Sequence, residues 1–241
     1  MGKWKLKSKM IWREAAKRRA AVEAVKLVKD GSILGLGAGS TIAYAVREIG
    51  RRIEEEHIRI LAVPSSNQTH QLATECGVPL TTLDEHPNLD LDIDGADQID
   101  ADLNLIKGMG GALTKEKIVA SSSKALVIIA DETKITDVLG RNHPLPVEVL
   151  PFALPLVTSK IKVLGGLPIL KMSKEGFGPF VTDNGNFILN VDFGVINNLI
   201  QLDRQLKYIN GVIETGLFLG MTDIVYVGTE TEVKVLRKGS R

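Results

Sequence analysis

Residues 89–97 read Leu-Asp-Leu-Asp-Ile-Asp-Gly-Ala-Asp, and residues 107–117 read Lys-Gly-Met-Gly-Gly-Ala-Leu-Thr-Lys-Glu-Lys. The first run alternates apolar and polar residues up to Asp94, which predicts a β-strand that ends there. The second run is a glycine-rich loop followed by a helical segment from about Leu113. A strand, a loop and a helix in this order form the unit of parallel α/β sheets, and such sheets bind ligands at the carboxyl ends of their strands. The stretch therefore predicts an α/β fold with a candidate site next to Asp94.

Charged groups and backbone donors are concentrated in this stretch. Its three glycines, at positions 108, 110 and 111, allow backbone N–H groups to approach a ligand closely, and the start of the next helix adds partial positive charge. A lysine beside them makes the loop suited to an anion, and the nearby carboxylates can take part in proton transfer. The charged candidates are Asp94, Asp97, Lys107 and Glu116.

Each of these features also has a purely structural interpretation. Asp-Gly is a common turn, glycine-rich segments often form tight connections, and residues 115–117 could be a solvated first helical turn. Their occurrence together within one strand–loop–helix unit favours a functional site.

The first 143 residues alternate between helical and strand patterns. Helices are predicted over about 11–29, from 41 past 49, and from Ser65-Ser66 to about 75. Strands are predicted over about 32–36, 59–63, 80–83, 89–94 and 125–130. This series predicts a main α/β domain, residues 1–143, with a Rossmann-like, mostly parallel sheet.

The pattern changes around Pro144. A strand over 147–149, a helix over 150–163, two strands joined at Asn184-Gly185 and a helix over 194–209 are predicted to form a small α+β, ferredoxin-like unit. Strands over 224–227 and 233–236 are predicted to return to the main sheet. The domain limits expected are therefore 1–143 for the main domain, 144–210 for the insertion and 211–241 for the return.

Composition argues against several classes of protein. Thirty Lys and Arg against 29 Asp and Glu give a formal net charge of +1, so no broad basic surface for nucleic acid is expected. No signal-peptide core or membrane-length apolar run is present, and the one cysteine, Cys76, cannot form an intrachain disulfide. We therefore expect a cytoplasmic protein without nucleic-acid or membrane partners. The crowded basic residues near the start are interpreted as an extension leading into an Ala-rich helix, although a basic arm could also touch nucleic acid or membrane; they are Lys3, Lys5, Lys7, Lys9, Arg13, Lys17, Arg18 and Arg19.

A second glycine motif, residues 35–41, tests for a nucleotide site. Its Gly-x-Gly-x-x-Ser pattern has serine in place of the third glycine of a dinucleotide fingerprint, and it lacks the Gly-Lys-Ser/Thr ending of a phosphate-binding P-loop. Two interpretations remain. Gly39, Ser40 and Thr41 can hold one phosphate at a helix start, or they form a simple connection in which Ser40 caps the helix.

Metal and nucleophilic chemistry lack their usual residue patterns. The four histidines are far apart, no serine lies in a Gly-x-Ser-x-Gly motif, and Cys76 has no obvious base. Asp90, Asp92 and Asp94 alternate with Leu91 and Ile93, so we interpret them as the polar face of a strand. No metal and no cofactor are therefore expected.

Ordered motifs along most of the chain resemble one enzyme family. They are Gly35-Leu36-Gly37-Ala38-Gly39-Ser40-Thr41, Asp94-Gly95-Ala96-Asp97, Lys107-Gly108-Met109-Gly110-Gly111-Ala112 with Glu116, Asp131-Glu132-Thr133-Lys134, Pro144-Leu145-Pro146-Val147-Glu148-Val149, Val181-Thr182-Asp183-Asn184-Gly185-Asn186 and Glu214-Thr215-Gly216-Leu217-Phe218. This set resembles the type A ribose-5-phosphate isomerases. The sequence departs from the family pattern at Ala38, Gln98 and Met109, where the family usually has Thr, Glu and Gly.

The resemblance implies an aldose–ketose isomerase of the non-oxidative pentose phosphate pathway that interconverts ribose 5-phosphate and ribulose 5-phosphate through a cis-enediolate. It implies Glu116 as the base and Lys107 near the oxyanion, with Asp94 and Asp97 on sugar hydroxyls and Asp94 a candidate for ring opening. The implied substrate-binding residues are Ala38, Gly39, Ser40, Thr41, Asp94, Gly95, Ala96, Asp97, Lys107, Gly108, Met109, Gly110 and Lys134. A homodimer or homotetramer is also implied.

Two other classes stay open from sequence. A sugar-phosphate-sensing regulator could use a similar scaffold, but no helix-turn-helix module is evident and a sensor has no need of Glu116 beside the lysine. A CoA- or nucleotide-binding protein would need an extended anion groove that the sequence does not reveal.

Overall fold

The computed structural model describes residues 3–174 and 176–239, with side chains from residue 12 onward. Lys3, Lys5, Lys7 and Lys9, on which the interpretation of the basic N-terminus depends, have side chains outside the described part. The α-helices are α1 (Lys3–Val25), α2 (Ile42–Glu56), α3 (Asn67–Glu75), α4 (Leu113–Ser121), α5 (Leu154–Val163) and α6 (Leu199–Lys207). The strands are β1 (Ile33–Leu36), β2 (Leu61–Pro64), β3 (Leu91–Asp94), β4 (Gln98–Ile99), β5 (Leu105–Ile106), β6 (Leu126–Asp131), β7 (Leu145–Val149), β8 (Leu167–Leu170), β9 (Phe187–Asp192), β10 (Val212–Thr215), β11 (Leu217–Phe218), β12 (Ile224–Gly228) and β13 (Val233–Arg237).

The chain divides into two compact units. Unit 1 contains Met1–Gly95, Ile118–Lys134 and Met221–Arg241, and unit 2 contains Ala96–Lys117 and Ile135–Gly220. The domain limits expected at residues 144 and 210 stay a prediction, because these units group residues by proximity and not by independent folding.

Unit 1 is built on a six-stranded sheet in the order β13-β12-β6-β3-β1-β2. Its neighbouring strands are parallel except for the antiparallel pair β12 and β13. The predicted α/β class and the predicted return of the last two strands to this sheet are confirmed. The core combines strand residues such as Leu34, Ile93 and Val127 with helix residues such as Ala20 and Ile49.

The central strand β3 differs from its predicted character. The sequence predicts that Asp90, Asp92 and Asp94 form the polar face of a strand, but Asp92 and Asp94 are fully buried. The reason is topological, since β3 lies between β1 and β6 in a sheet whose inner strands are buried on both faces. An alternating pattern therefore marks a row of buried carboxylates here.

Unit 2 contains a four-stranded antiparallel sheet, β10-β7-β9-β8, and a small sheet, β11-β5-β4. Val147 and Val149 of β7 pack with Val157 and Ile161 of α5 and with Leu206 of α6 in one apolar cluster. This agrees with the predicted α+β character of the segment after Pro144. Among the described residues, no helix combines the length and hydropathy needed to cross a membrane.

Several element predictions need correction. In the described chain, residues 80–83 form no strand and contribute one bridge, between Ala62 and Leu80. The turn at Asn184-Gly185 exists, but the segment before it pairs with β9 through a single bridge, because β9 already has β7 and β8 as sheet neighbours. Helix α1 ends at Val25 and not near residue 29, and α6 begins at Leu199 after an Asn198 cap and not at residue 194.

Candidate functional site

The loop between β1 and α2 is one of the predicted binding segments in unit 1. Gly39 and Ser40 are exposed, and Gly39 has φ +102°, which favours glycine. Thr41, and not Ser40, occupies the N-cap position of α2, and its side chain makes no capping hydrogen bond to a described residue. The amide groups at the start of α2 therefore form a terminus that can accept an anion.

Lys17 adds a positive charge to this loop. Its Nζ donates to Ser40 Oγ at 3.3 Å and to Glu14 Oε1 at 2.7 Å. Sequence reasoning counts Lys17 only as one of many basic N-terminal residues, because nothing in the local pattern indicates that α1 passes this loop.

The carboxylate of Asp94 is fully buried at the end of β3. Its Oδ1 accepts hydrogen bonds from the Gly95 amide at 2.7 Å and the Ala38 amide at 3.3 Å. A Cβ at Gly37 would lie 1.8 Å from the same oxygen, and one at Gly35 would lie 2.8 Å from Asp92 Oδ1. Gly35 and Gly37 thus make room for buried aspartates, a role unrelated to a dinucleotide.

Lys134 lies elsewhere in unit 1, in the 3₁₀ turn Glu132–Lys134 that follows β6. Because β1, β3 and β6 are neighbouring parallel strands, their carboxyl ends meet at one edge of the sheet. The Ser40 loop, Asp94 and Lys134 therefore follow the same edge.

Lys107 and Glu116 form a buried ion pair in unit 2. Lys107 Nζ lies 3.3 Å from Glu116 Oε2, and the two side chains are 3% and 6% exposed. Lys107 follows β5, and its backbone amide is held by the carbonyl of Gly216 at 2.9 Å. Glu116 lies in the first turn of α4. A buried pair contributes little net stability after desolvation, so its position beside a glycine-rich loop makes Lys107 and Glu116 candidates for catalytic roles.

The loop between the two charged residues is fixed from both sides. Asp97 Oδ2 accepts from the Met109 amide at 3.0 Å, and Lys171 Nζ donates to the Met109 carbonyl. Met109 does not have a positive φ, so its side chain is accommodated without backbone strain. Gly108 and Gly111 do have positive φ, and a Cβ at Gly111 would lie 2.3 Å from the ring of Phe180.

Lys171 is a member of this site that sequence reasoning misses. Its ammonium lies 4.2 Å from the centroid of Phe180, and burial lowers its pKa although the carboxylate of Asp97 opposes the shift. No motif in the sequence marks Lys171, so only the fold reveals that it supports the glycine loop.

A second buried lysine follows Glu116 directly. Lys117 Nζ donates to Glu214 Oε1 at 2.8 Å and to the Thr215 carbonyl at 2.7 Å. Burial lowers the pKa of Lys117, while the carboxylate of Glu214 acts in the opposite direction. The ring of Phe218 lies 4.7 Å from this ammonium and 5.4 Å from that of Lys107. The 214–218 motif therefore supports the helix and the loop that carry the ion pair.

In unit 2, Asp97 contacts Met109, and Lys107 contacts Glu116. In unit 1, Asp94 contacts Ala38 and Gly95. A carboxylate beside an ammonium can remove a proton next to a carbonyl, while the ammonium and nearby backbone amides stabilise the resulting oxyanion. Among the described residues, no group of three or more His, Cys, Asp or Glu side chains is arranged to hold a metal ion.

Comparison with known sequences identifies related proteins. Residues 61–232 match the sequence model of the family described as ribose 5-phosphate isomerase A (phosphoriboisomerase A). The chain is 47% identical over 222 residues to ribose-5-phosphate isomerase A of Methanosarcina acetivorans, covering 92% of this chain and 94% of that protein. It is 46% identical over 221 residues to the protein of the same name from Methanothermobacter thermautotrophicus, covering 92% and 97%.

Solved structures give a consistent result. The ribose 5-phosphate isomerase A of Methanocaldococcus jannaschii superposes with a TM-score of 0.90 at 43% identity, covering 93% of this chain and 99% of that one. A D-ribose-5-phosphate isomerase in complex with phospho-erythronic acid superposes with a TM-score of 0.91 at 39% identity, again covering 93% and 99%.

Proposed function

Since the chain belongs to the ribose 5-phosphate isomerase A family, we propose that it interconverts D-ribose 5-phosphate and D-ribulose 5-phosphate in the non-oxidative pentose phosphate pathway. The observation that carries the proposal is the buried Lys107–Glu116 pair beside the glycine loop. The reaction passes through a cis-enediolate, and it needs a base, a stabiliser for negative charge, a group that opens the sugar ring and an anchor for the phosphate.

Glu116 is the proposed base. Its carboxylate takes the proton from C2 of the open-chain aldose and returns it to C1, while a proton passes from the C2 hydroxyl to the C1 oxygen. Lys107 and the amides of Gly108 and Gly110 stabilise the charge that develops on the enediolate oxygens. Burial strengthens this electrostatic effect, because little solvent screens the ammonium.

The aspartates bind and prepare the sugar. We assign Asp94, Gly95, Ala96 and Asp97 to the sugar hydroxyls and Asp94 also to ring opening. Asp97 has a second task, since its bond to the Met109 amide holds the glycine loop.

The phosphate is assigned to the β1–α2 loop. Gly39, Ser40 and Thr41 lie at the helix start, and Ala38 completes the loop. Lys17 and Lys134 add positive charge, and Lys17 already contacts Ser40. The related enzyme in complex with phospho-erythronic acid supports binding of a phosphorylated sugar derivative by this chain.

We also propose that the chain acts as a homodimer or homotetramer, without a cofactor, and in the cytoplasm, where charged sugar phosphates are made and consumed. Leu167 and Ile169 support self-association, because they project from the same side of β8 and are 65% and 69% exposed. Light scattering at several concentrations tests the assembly. A particle of monomer mass at all concentrations would contradict it.

The activity is tested with purified protein and ribose 5-phosphate, with ketose formation as the measurement. The proposal predicts conversion in both directions to one equilibrium ratio. Binding of ribose 5-phosphate without turnover would indicate that the protein is a sensor and not an enzyme. Absence of both binding and turnover would indicate that the protein binds a different class of ligand.

A further inference from the structure

Glu148 of β7 is fully buried and its carboxylate accepts four hydrogen bonds from uncharged groups. Thr114 Oγ1 donates to Oε2. The donors to Oε1 are Thr182 Oγ1 at 2.9 Å, Asn184 Nδ2 at 3.0 Å and Asn186 Nδ2 at 2.9 Å. Burying a carboxylate costs free energy unless hydrogen bonds such as these replace its hydrogen bonds to water, so the cluster indicates a specific role for Glu148.

Only one of the four donors belongs to the helix that carries the proposed base. Thr114 lies in the first turn of α4, two residues before Glu116. Residues two apart on a helix point about 200° away from each other, since each residue turns the helix by about 100°. Glu148 therefore holds the side of the first turn that faces away from Glu116, which fixes the rotation of this turn about the helix axis.

The same strand also supports Lys107. Pro146 lies two residues before Glu148 and projects from the same side of β7. A Cβ at Gly108 would lie 3.2 Å from Pro146 Cβ. The amide of Gly216 donates to the Pro146 carbonyl, and the amide of Lys107 donates to the Gly216 carbonyl. Strand β7 thus supports both members of the Lys107–Glu116 pair, and Glu148 is the residue through which β7 contacts α4.

We infer that Glu148, acting through Thr114, is a positioning residue that aims Glu116 at the substrate. The inference rests on the proposed function of the Lys107–Glu116 pair. Loss of the Thr114 contact allows the first turn of α4 to rotate, and small misplacements of a catalytic group reduce turnover by about 10-fold to 100-fold. Substrate affinity changes little, because neither Glu148 nor Thr114 belongs to the proposed binding residues.

The experiment compares three variants. Thr114→Val keeps the shape of the side chain but removes the hydroxyl donor, Thr114→Ser keeps the donor, and Asn184→Ala removes a different donor to the same carboxylate. We expect Thr114→Val to lower kcat roughly 10-fold with KM within about two-fold of the wild type. Thr114→Ser and Asn184→Ala retain kcat within about two-fold, although Asn184→Ala lowers the melting temperature.

Hydrogen exchange of residues 113–117 gives a readout that does not require turnover. Faster exchange in Thr114→Val, but not in Asn184→Ala, is expected if Glu148 fixes this turn. The inference is overturned if Thr114→Val lowers only the melting temperature and leaves kcat and exchange unchanged, or if Asn184→Ala reduces kcat equally. Inactive wild-type protein would instead contradict the proposed function, and the exchange measurement would still decide whether Glu148 fixes the helix.

Discussion

Two ion pairs in unit 2 bury charged side chains of consecutive residues. Lys107 pairs with Glu116, and Lys117 pairs with Glu214, which also contacts Lys207 at 3.0 Å. Consecutive residues of α4 thus join two different ion pairs, and the ring of Phe218 lies near both ammonium groups. The pair formed by Glu214 supports the structure, whereas the pair formed by Glu116 is assigned to catalysis.

Replacing Glu214 tests whether its ion pair stabilises the structure. Burial opposes ionisation of Glu214, but the ammonium of Lys117 prevails and lowers the pKa of the carboxyl below its usual 4.5. A carboxyl whose pKa falls on folding stabilises the protein above its unfolded pKa, and this contribution is lost as the pH falls through the folded pKa. Glu214→Gln should therefore lower the free energy of unfolding by about 2 kcal/mol at pH 7. This loss is smaller than the loss on breaking a fully buried ion pair, because Glu214 is partly exposed.

Urea unfolding of wild type and Glu214→Gln at a series of pH values is the measurement. The difference between them should shrink as the pH is lowered below 4.5. A difference that stays constant across this range would show that the ionised form of Glu214 is not what stabilises Lys117.

Elements with clear boundaries are predictable from the sequence, and elements defined by distant partners are not. The strand near Ile33 and the helix after Ser66 have local signals, and Ser66 does cap α3 through the Thr69 amide. The predicted strand near Leu80 fails because one bridge to Ala62 does not extend into a ladder. Leu80 packs beside the core but does not become part of a strand, and local propensity does not distinguish these outcomes.

The candidate site follows the same rule. Lys107 and Glu116 are found because glycines and a helix start mark their segment. Lys171 and Glu148 are charged residues whose partners lie 62 and 34 positions away, at Met109 and Thr114. Nothing near them in the sequence indicates these contacts, which only the fold creates.

The β1–α2 loop allows a test at the scale of one element. If its amides and Ser40 bind the substrate phosphate, unphosphorylated ribose should be a poor substrate in kcat as well as in KM, because remote binding energy orients the reacting carbons. Ser40→Ala should lower kcat/KM for ribose 5-phosphate by about 10-fold and leave the residual rate with ribose unchanged. Equal losses with both sugars would show that Ser40 does not act on the phosphate.

Across the whole chain, each of the two units contains its own set of proposed functional groups. Unit 1 contributes Asp94 and the helix start at Thr41, and unit 2 contributes the Lys107–Glu116 pair. Carboxylate, ammonium and amide groups are sufficient for a proton transfer between adjacent carbons.

The chemistry assigned to these groups predicts that turnover is independent of metal ions. Protein treated exhaustively with a chelator, and assayed without added nucleotide, should retain its full rate of ketose formation, because the proposed base and oxyanion stabiliser are both side chains. Protein treated identically and then given Mg²⁺ or Zn²⁺ provides the control. Activity lost on chelation and restored by one of these ions would overturn the assignment.

The turnover number of Glu116→Gln at saturating ribose 5-phosphate tests whether Glu116 is the base. Glutamine keeps the length and much of the hydrogen bonding of Glu116 but cannot accept the proton from C2. We expect kcat to fall by about 100-fold or more while substrate binding, measured by calorimetry, is retained. Near-normal turnover by Glu116→Gln would contradict the account and would transfer the role of base to another carboxylate, with Asp94 as the next candidate.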